Sequence, residues 1–210
     1  MITERVNLQT EITASEDGKY TFEISRKWRD DGKKALIIEL YPTINIAEVG
    51  KTDLSTTHLL NHALLDFPEW GEVRIVNLYA RVFKSRPLQE QLTEDAENIA
   101  HIEEILNECM AADYDIVISW GSSHEVHSTT KAIKKELLEG MKKRGLESKV
   151  KHLTVDKLDT NKQRGTHALY LGLKYSKERW HLSEYPIDEV LKELCLGDKK
   201  MTVCHGCNLR

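Results

Sequence analysis

The sequence predicts an α/β fold in which a mostly parallel central sheet lies between two layers of helices. Apolar runs typical of buried strands alternate with amphipathic segments of helix length, and several of these runs end on polar or otherwise special residues. Alternation at these lengths implies right-handed crossovers that cover both faces of the sheet. Because open α/β sheets bind ligands at the carboxyl ends of their strands, we expect a site at that edge.

Size and charge predict one domain over residues 1–210, of ordinary composition. A net charge of -4 argues against a strongly basic nucleic-acid binder but leaves a local basic surface open. We find no apolar stretch long enough to span a bilayer and no signal-peptide core at the N-terminus, so we expect a cytoplasmic protein without a membrane partner. The four cysteines are expected to be free thiols.

The first half predicts a hairpin, two strands and one helix. Residues 1–30 alternate around a polar turn and predict a β-hairpin attached at an edge of the domain. Residues 35–40 predict a central strand that Tyr41 and Pro42 end. A helix capped by Ser55 or Thr56 follows, and then a strand over residues 72–78.

The second half predicts three helices and two strands. An acidic helix over residues 93–112 precedes a buried strand at 115–119. A basic helix over residues 127–144 precedes a strand at 150–155. The last helix, residues 187–194, begins after a proline. We expect the core to cover residues 34–180 and a cysteine-containing tail to cover residues 195–210.

The sequence lacks the motifs of several common enzyme reactions. The chain has no P-loop and no dinucleotide fingerprint, because Tyr41-Pro42-Thr43 follows the first central strand instead of a glycine-rich turn. It also has no nucleophile elbow around a serine. Hydride transfer and P-loop nucleotide hydrolysis therefore lose support, and we expect no cofactor.

Four chain segments, in order, resemble the uracil-DNA glycosylase superfamily. They are the loop at Tyr41-Pro42-Thr43, the strand that ends on Asn77, the Trp120-Gly121 pair, and the stretch 165–171, which we interpret as another strand end. Within residues 34–180 the chain is still more similar to a family of small bacterial and phage proteins, also carried on staphylococcal cassette chromosome elements. That family has a Leu-Asn-Pro-Ser loop and a His-Pro-Leu-Tyr-Leu segment, where this chain has Leu-Tyr-Pro-Thr and His-Ala-Leu-Tyr-Leu.

The resemblance implies a role for three residues. Asn77 would read the edge of the base through its amide, and His167 would stabilise charge on the leaving base. Leu171 would fill the gap that a flipped nucleotide leaves. The residues alone also permit structural roles: a strand-end cap for Asn77, a structural histidine, and a core leucine.

The departures from the superfamily concern catalysis. Tyr41 stands where the glycosylases have the aspartate that helps water attack, and Thr43 stands where they have the tyrosine that closes the pocket. A tyrosine is neutral at pH 7 and bulkier, so it cannot serve as that anion. Residues 168–170 replace a Pro-Ser-Pro turn. The resemblance thus implies a pseudoenzyme with a base pocket formed by Tyr41, Pro42, Thr43, Asn77 and His167.

Three functional hypotheses follow from the resemblance. The first is a pseudoenzyme that binds a uracil-DNA glycosylase inhibitor-type protein through the apolar anchor Leu169, Tyr170 and Leu171. The second is an active glycosylase on uracil or another modified base, with Asp53, Glu39 or His124 as the general base.

The third hypothesis is a non-catalytic DNA-binding protein of a mobile element. It depends on basic residues in the second half of the chain, although a charged run on a helix is usually only its solvated face. These are Lys131, Lys134, Lys135, Lys142, Lys143, Arg144, Lys149, Lys151, Lys174, Lys177 and Arg179.

A zinc site in the tail has weak support. Cys204 and Cys207 form a single Cys-x-x-Cys pair, with Cys195 as a further possible ligand. A structural zinc site needs four ligands, and the second pair is absent at familiar spacing. We therefore expect no metal.

Overall fold

The computed structural model describes residues 2–3, 5–122, 127–159 and 164–202, with side chains described to residue 195. Its strands are β1 Gln9–Ala14, β2 Thr21–Lys27, β3 Lys33–Glu39, β4 Trp70–Asn77, β5 Tyr114–Ile118, β6 Val150–Thr154 and β7 His181–Glu184. Its α-helices are α1 Leu54–Asp66, α2 Ala96–Ala111, α3 Ser128–Lys143, α4 Ala168–Tyr175 and α5 Ile187–Thr202. None of the described helices is both long enough and apolar enough to cross a bilayer.

The fold is mixed α/β, built on one seven-stranded sheet of order β1-β2-β4-β3-β5-β6-β7. The four strands β4, β3, β5 and β6 run parallel to one another, whereas β1 and β2 on one side and β7 on the other are added by antiparallel pairing. The prediction of a mostly parallel sheet is therefore wrong for the sheet as a whole. The sequence pattern identifies strands joined by helices, but it does not indicate the direction in which added edge strands pair.

The N-terminal hairpin forms as predicted, but it is not an appendage. Its turn includes Gly18, whose φ of 67° suits glycine. Strand β2 pairs with β4 along five residues of each strand, and Phe22 and Ile24 are buried. The hairpin therefore extends the central sheet and contributes to its core.

Helices cover both faces of the sheet. On one face, α1 and α4 contribute Leu59, Ala63 and Ala168 to a buried cluster. On the other face, α2, α3 and α5 pack over a second cluster that includes Ile105 and Leu138. Two apolar clusters separated by the sheet give the three layers that the alternating pattern predicts.

The connection order creates a crevice in the middle of the sheet. From β3 the chain passes through α1 to β4 on one side, and then through α2 to β5 on the other side of β3. Strands β3 and β5 are therefore neighbours whose following segments diverge. Such a switch point, at the carboxyl ends of the strands, is the usual ligand site of open α/β sheets.

Three local predictions need correction. No strand ends at His167, because residues 165–167 are irregular and α4 begins directly after them. The last helix extends to Thr202 rather than ending at 194. Strand β7 is not predicted from the sequence, because its four residues lie at the sheet edge, three half-buried and one exposed, and form no buried apolar run.

Candidate functional site

A cavity of about 570 Å³ opens at the switch point between β3 and β5. Its polar lining consists of two carboxylates, one imidazole and two hydroxyl side chains. Tyrosine, tryptophan and leucine side chains form the rest of its wall. The lining residues used below are Glu39, Tyr41, Thr43, Asp53, Leu54, Ser55, Trp120, Gly121, His167, Leu169, Tyr170 and Leu173.

Glu39 supplies the more deeply buried carboxylate. It ends β3, and its side chain lies on the face of the sheet that α1 covers, with only 7% of the residue exposed. The Ser55 hydroxyl donates a 3.1 Å hydrogen bond to Oε1. Burial raises the pKa of Glu39, the nearby charge of Asp53 raises it further, and His167 and Ser55 oppose the rise.

Asp53 is the N-cap of α1, where the sequence predicts Ser55 or Thr56. Its Oδ1 accepts a 2.7 Å hydrogen bond from the Thr56 backbone N–H, and its Oδ2 accepts one from the Thr43 hydroxyl. Because Asp53 caps the helix, Ser55 lies in the first turn and its hydroxyl is available to Glu39.

Arg26 stabilises the Asp53 carboxylate and the loop that precedes it. The residue is 1% exposed, its Nη2 donates a 2.7 Å hydrogen bond to the Lys51 carbonyl oxygen, and it attracts Asp53 electrostatically. Arg26 therefore holds the loop that leads into the Asp53 cap. The sequence pattern missed this role, because a buried arginine looks like any polar residue of an alternating strand.

His167 approaches the cavity from the N-cap of α4. Its Nδ1 accepts a 3.1 Å hydrogen bond from the Leu169 backbone N–H, so a neutral imidazole carries its proton on Nε2. Nε2 lies 3.9 Å from Glu39 Oε1, too far for a hydrogen bond. The Nε2–H group is therefore free of Glu39 and can donate to a ligand.

The segment before α4 is fixed to the end of β5. The Gly121 backbone N–H donates to the Gly165 carbonyl oxygen at 2.8 Å, and the Ser119 hydroxyl accepts from the Ala168 backbone N–H at 3.1 Å. A Cβ on Gly121 would lie 3.4 Å from His167 Cβ, on a backbone with φ of 64°. Glycine thus lets the β5 loop pass close to His167.

The aromatic wall leaves the cavity open. The Tyr41 ring packs edge-on against Phe83 with centroids 5.7 Å apart, so it lines the space without filling it. Trp120 is buried, with the Lys134 ammonium 5.1 Å from its ring centroid. Tyr170 forms part of the exposed rim.

The structure separates the predicted pocket residues into two groups. Tyr41, Thr43 and His167 line the cavity, whereas Pro42 and Asn77 do not. Asn77 is 1% exposed, pairs with Glu39 across the β3–β4 register, and has a buried Oδ1 that no described residue hydrogen-bonds. Its placement at the end of β4 is as expected, but its position does not support the base-reading role.

The three residues of the predicted apolar anchor also separate into two groups. Leu169 and Tyr170 line the cavity, but Leu171 is 0% exposed and packs in the core beneath α4. The contact role assigned to Leu171 is therefore not supported, since a helix turns successive side chains to different faces. Leu54 and Leu173 are exposed at the cavity instead, and the sequence analysis missed both.

The basic residues do not form one continuous surface. Lys134 is 2% exposed and donates to the Gly121 carbonyl oxygen. Arg144 and Lys142 form ion pairs with Glu103 and Asp188. Lys149 donates to two backbone carbonyl oxygens, and Lys151 lies 3.8 Å from Glu184. Three of the eleven predicted basic side chains are thus paired with acidic residues of the fold, and two more bond backbone carbonyl oxygens.

Two predicted sites fall partly outside the described residues. His124, Cys204 and Cys207 lie outside them, and Cys195 is exposed on α5. Within the described ranges, no group of three or more His, Cys, Asp or Glu side chains is arranged to hold a metal ion.

Fold and site together define a class: an α/β protein with a ligand-sized cavity at the switch point of its sheet. The chain belongs to the family described as "Protein of unknown function (DUF1643)", whose model matches residues 22–167. The match runs from β2 to His167 and includes Glu39 and Asp53. It does not place the chain in the uracil-DNA glycosylase superfamily. Neither a curated protein nor a solved structure gives a significant match.

Proposed function

We propose that this protein is a glycosylase-type hydrolase that binds a planar heterocyclic base and cleaves its N-glycosidic bond with Glu39 as the general base. The observation that carries the proposal is the buried Glu39 carboxyl in the wall of the switch-point cavity. A carboxyl with a perturbed pKa in a cleft is a common mark of a catalytic group.

The size and lining of the cavity suit a nucleoside. Its volume of about 570 Å³ falls in the range of small-molecule sites, roughly 300–1,000 Å³. Tyr41 and Tyr170 offer aromatic surface to a flat ring. A planar heterocycle bound there would lie beside the carboxylates and the imidazole.

Each polar group has a separate role in this proposal. The ionised Glu39 accepts a proton from the attacking water, and its raised pKa makes it a stronger base than an exposed glutamate. Asp53, held by two hydrogen bonds, is a fixed negative charge that stabilises positive charge developing on the sugar. The His167 Nε2–H donates a hydrogen bond to the base.

Glu39 can supply the carboxylate that the glycosylase comparison finds missing at position 41. The pseudoenzyme hypothesis depends on the lost aspartate at position 41, since tyrosine cannot replace it. Glu39 lies two residues earlier, at the end of the same strand, and its carboxyl reaches the cavity. The catalytic anion can therefore come from a different position of the same strand end.

The test is release of base from oligonucleotides and free nucleosides that carry uracil, hypoxanthine or N-methylated purines. We expect activity on at least one of them, and Glu39→Gln should reduce it by about 10²–10⁴-fold. Glu72→Gln is the matched control, because Glu72 lies near the start of β4 and bonds Ser25 at 3.2 Å, away from the cavity. No release of any base, or full activity of Glu39→Gln, would contradict the proposal.

A second candidate is the pseudoenzyme that binds a glycosylase-inhibitor-type protein. The observation that favours it is the apolar rim of Leu54, Tyr170 and Leu173, which are 53%, 39% and 66% exposed. Apolar side chains around a cavity are typical anchors for a partner. In this hypothesis, the exposed rim residues take the contact role that the sequence analysis assigned to Leu171.

Calorimetry against a uracil-DNA glycosylase inhibitor and against a short DNA duplex tests this candidate. Leu173→Asp should weaken inhibitor binding at least tenfold, whereas Leu65→Asp, an exposed leucine at the far end of α1, should not. Tight DNA binding without inhibitor binding would favour the DNA-binding hypothesis instead.

A further inference from the structure

We infer that the cavity selects a positively charged planar ring, the chemistry of an N-alkylated purine, over a neutral base; the inference rests on the proposed function. It is carried by three observations: the charges that line the cavity, the hydrogen bonds that hold two nearby cations, and the aromatic rings beside the carboxylates.

The charges of the wall are negative. Of the lining residues that the structure describes, Glu39 and Asp53 carry carboxylates and none is a lysine or an arginine. A phosphate or an anionic ring would meet both carboxylates without a compensating cation. A cationic ring would meet the opposite charge that it needs in a partly enclosed site.

Two cations close to the cavity wall are held by other groups. Arg26 bonds the loop carbonyl of Lys51 behind Asp53, and Lys84 bonds the Thr43 carbonyl oxygen and Glu48. Neither lines the cavity. Among the described residues, the electrostatic influences on the pKa of Glu39 come from His167, which lowers it, and Asp53, which raises it. A bound cation would add to the favourable influence of His167.

The aromatic rings of the cavity also suit a cation. Tyr170 and Trp120 already lie near ammonium groups of the protein, Lys174 at 5.4 Å and Lys134 at 5.1 Å from the ring centroids. Tyr170 and Tyr41 contribute surface to the cavity, whereas Trp120 is 2% exposed. A flat cation between carboxylates and aromatic rings gains both ion-pair and cation–π attraction.

The chemistry of a cationic base fits the groups present. The bond between the ring nitrogen and C1′ breaks, and its electron pair goes to the ring, which leaves as a neutral base. The water oxygen forms a bond to C1′, and the water proton passes to the Glu39 carboxylate. No acid has to protonate the leaving base, so His167 needs only to donate a hydrogen bond from Nε2.

The experiment compares binding of two isomeric nucleosides to the full chain by calorimetry at neutral pH. In 1-methyladenosine the ring is a cation, whereas N6-methyladenosine has the same methyl group on a neutral ring. We expect the cation to bind at least tenfold more tightly. Equal affinity, or tighter binding of the neutral isomer, overturns the inference.

Charge-neutral variants identify the source of the preference. Glu39→Gln and Asp53→Asn should each reduce the ratio of the two affinities, and asparagine can still cap α1. Glu72→Gln should leave the ratio unchanged, because Glu72 does not line the cavity. A preference that survives both cavity variants overturns the electrostatic argument.

The same measurements separate this inference from the proposed function. Cation-selective binding without release of base supports the cationic-ring inference and contradicts the hydrolase. Release of neutral bases with no preference for the cation supports the hydrolase and overturns the inference. Failure to bind either nucleoside overturns the inference directly.

Discussion

At the scale of single residues, the site depends on a carboxyl group placed where an apolar side chain would be more stable. Glu39 follows four buried apolar residues of β3, and burial disfavours its charged form. A buried charge that serves chemistry usually costs stability. The consequence is a stability that depends on pH in a direction opposite to that of most carboxylates.

We predict that Glu39→Gln stabilises the protein at about pH 7.5 and that the gain shrinks toward about pH 4.5. The pKa of Glu39 in the folded state lies above its ordinary value of 4.5, so the folded state binds the proton more tightly. Stability from this group is present below the ordinary pKa and is lost as pH rises through the folded pKa.

Denaturant unfolding of both proteins at the two pH values measures the difference. Glutamine keeps an oxygen that can accept from Ser55. A gain that is larger at the lower pH would show that the sign is wrong.

At the scale of secondary-structure elements, close contact of α1 with α4 assembles the site. α1 begins after Asp53, and α4 begins after His167. Gly172 on α4 allows the contact, because a Cβ there would lie 2.1 Å from His58 Cγ on α1. The His58 Cβ is also close, so rotation of the ring cannot remove the clash.

We predict that Gly172→Ala destabilises the fold by about 1–3 kcal/mol and weakens nucleoside binding, because the two helices must move apart. The matched control is Gly140→Ala in α3, where the nearest atom is the flexible Arg144 tip at 3.3 Å. That variant should be neutral or more stable by up to about 1 kcal/mol. Thermal unfolding and calorimetry measure both effects, and equal behaviour of the two variants would contradict the argument.

A buried charge network ties the hairpin to the rest of the sheet. Arg74 on β4 bonds both oxygens of Glu23 on β2, at 2.5 and 2.9 Å, and Glu23 also bonds His101 on α2 at 2.8 Å. Although burial opposes it, these partners lower the pKa of Glu23 to about 2. The network's stabilisation is therefore present above pH 4.5 and is lost as pH falls toward 2.

We predict that Arg74→Met destabilises the fold by about 3–5 kcal/mol, since it leaves Glu23 as a buried charge without its main partner. Lys34→Met is the control, because the Lys34–Glu72 pair on the same sheet is longer, at 3.6 Å, and Lys34 is exposed. That change should cost about 0–1 kcal/mol. Urea unfolding at neutral pH measures both, and a small effect of Arg74→Met would show that Glu23 is solvated.

At the scale of the whole molecule, the sheet is stable at its centre and exposed at one edge. Residues Ala35–Glu39 of β3 are buried, whereas β1 alternates between exposed and half-buried positions. Local opening has a lower free energy where few apolar groups are buried.

We predict that amide hydrogen exchange is slowest in β3, β4 and β5 and fastest among the strands in β1. Mass spectrometry of deuterated peptides resolves these segments. Exchange in β1 as slow as in β3 would mean that another surface covers the edge strand.

The sequence by itself determined the framework of the protein. Apolar runs bounded by Tyr41-Pro42, Asn77 and Trp120-Gly121 give the ends of β3, β4 and β5 within a few residues. Helix-length segments between them force neighbouring parallel strands. Since strand ends of a parallel array share one edge, the location of the site follows from local pattern alone, and Tyr41, Thr43 and His167 do line it.

Only the tertiary structure decided which side chains the site contains. Glu39, Ser55 and His167 come from three distant segments, and their meeting depends on how α1 and α4 rotate over the sheet. The same packing buries Asn77 and Leu171 and pairs Lys142 and Arg144 with acidic residues far away in the sequence. Local periodicity tells which residues share a face, but burial and charge compensation depend on the element that packs against that face.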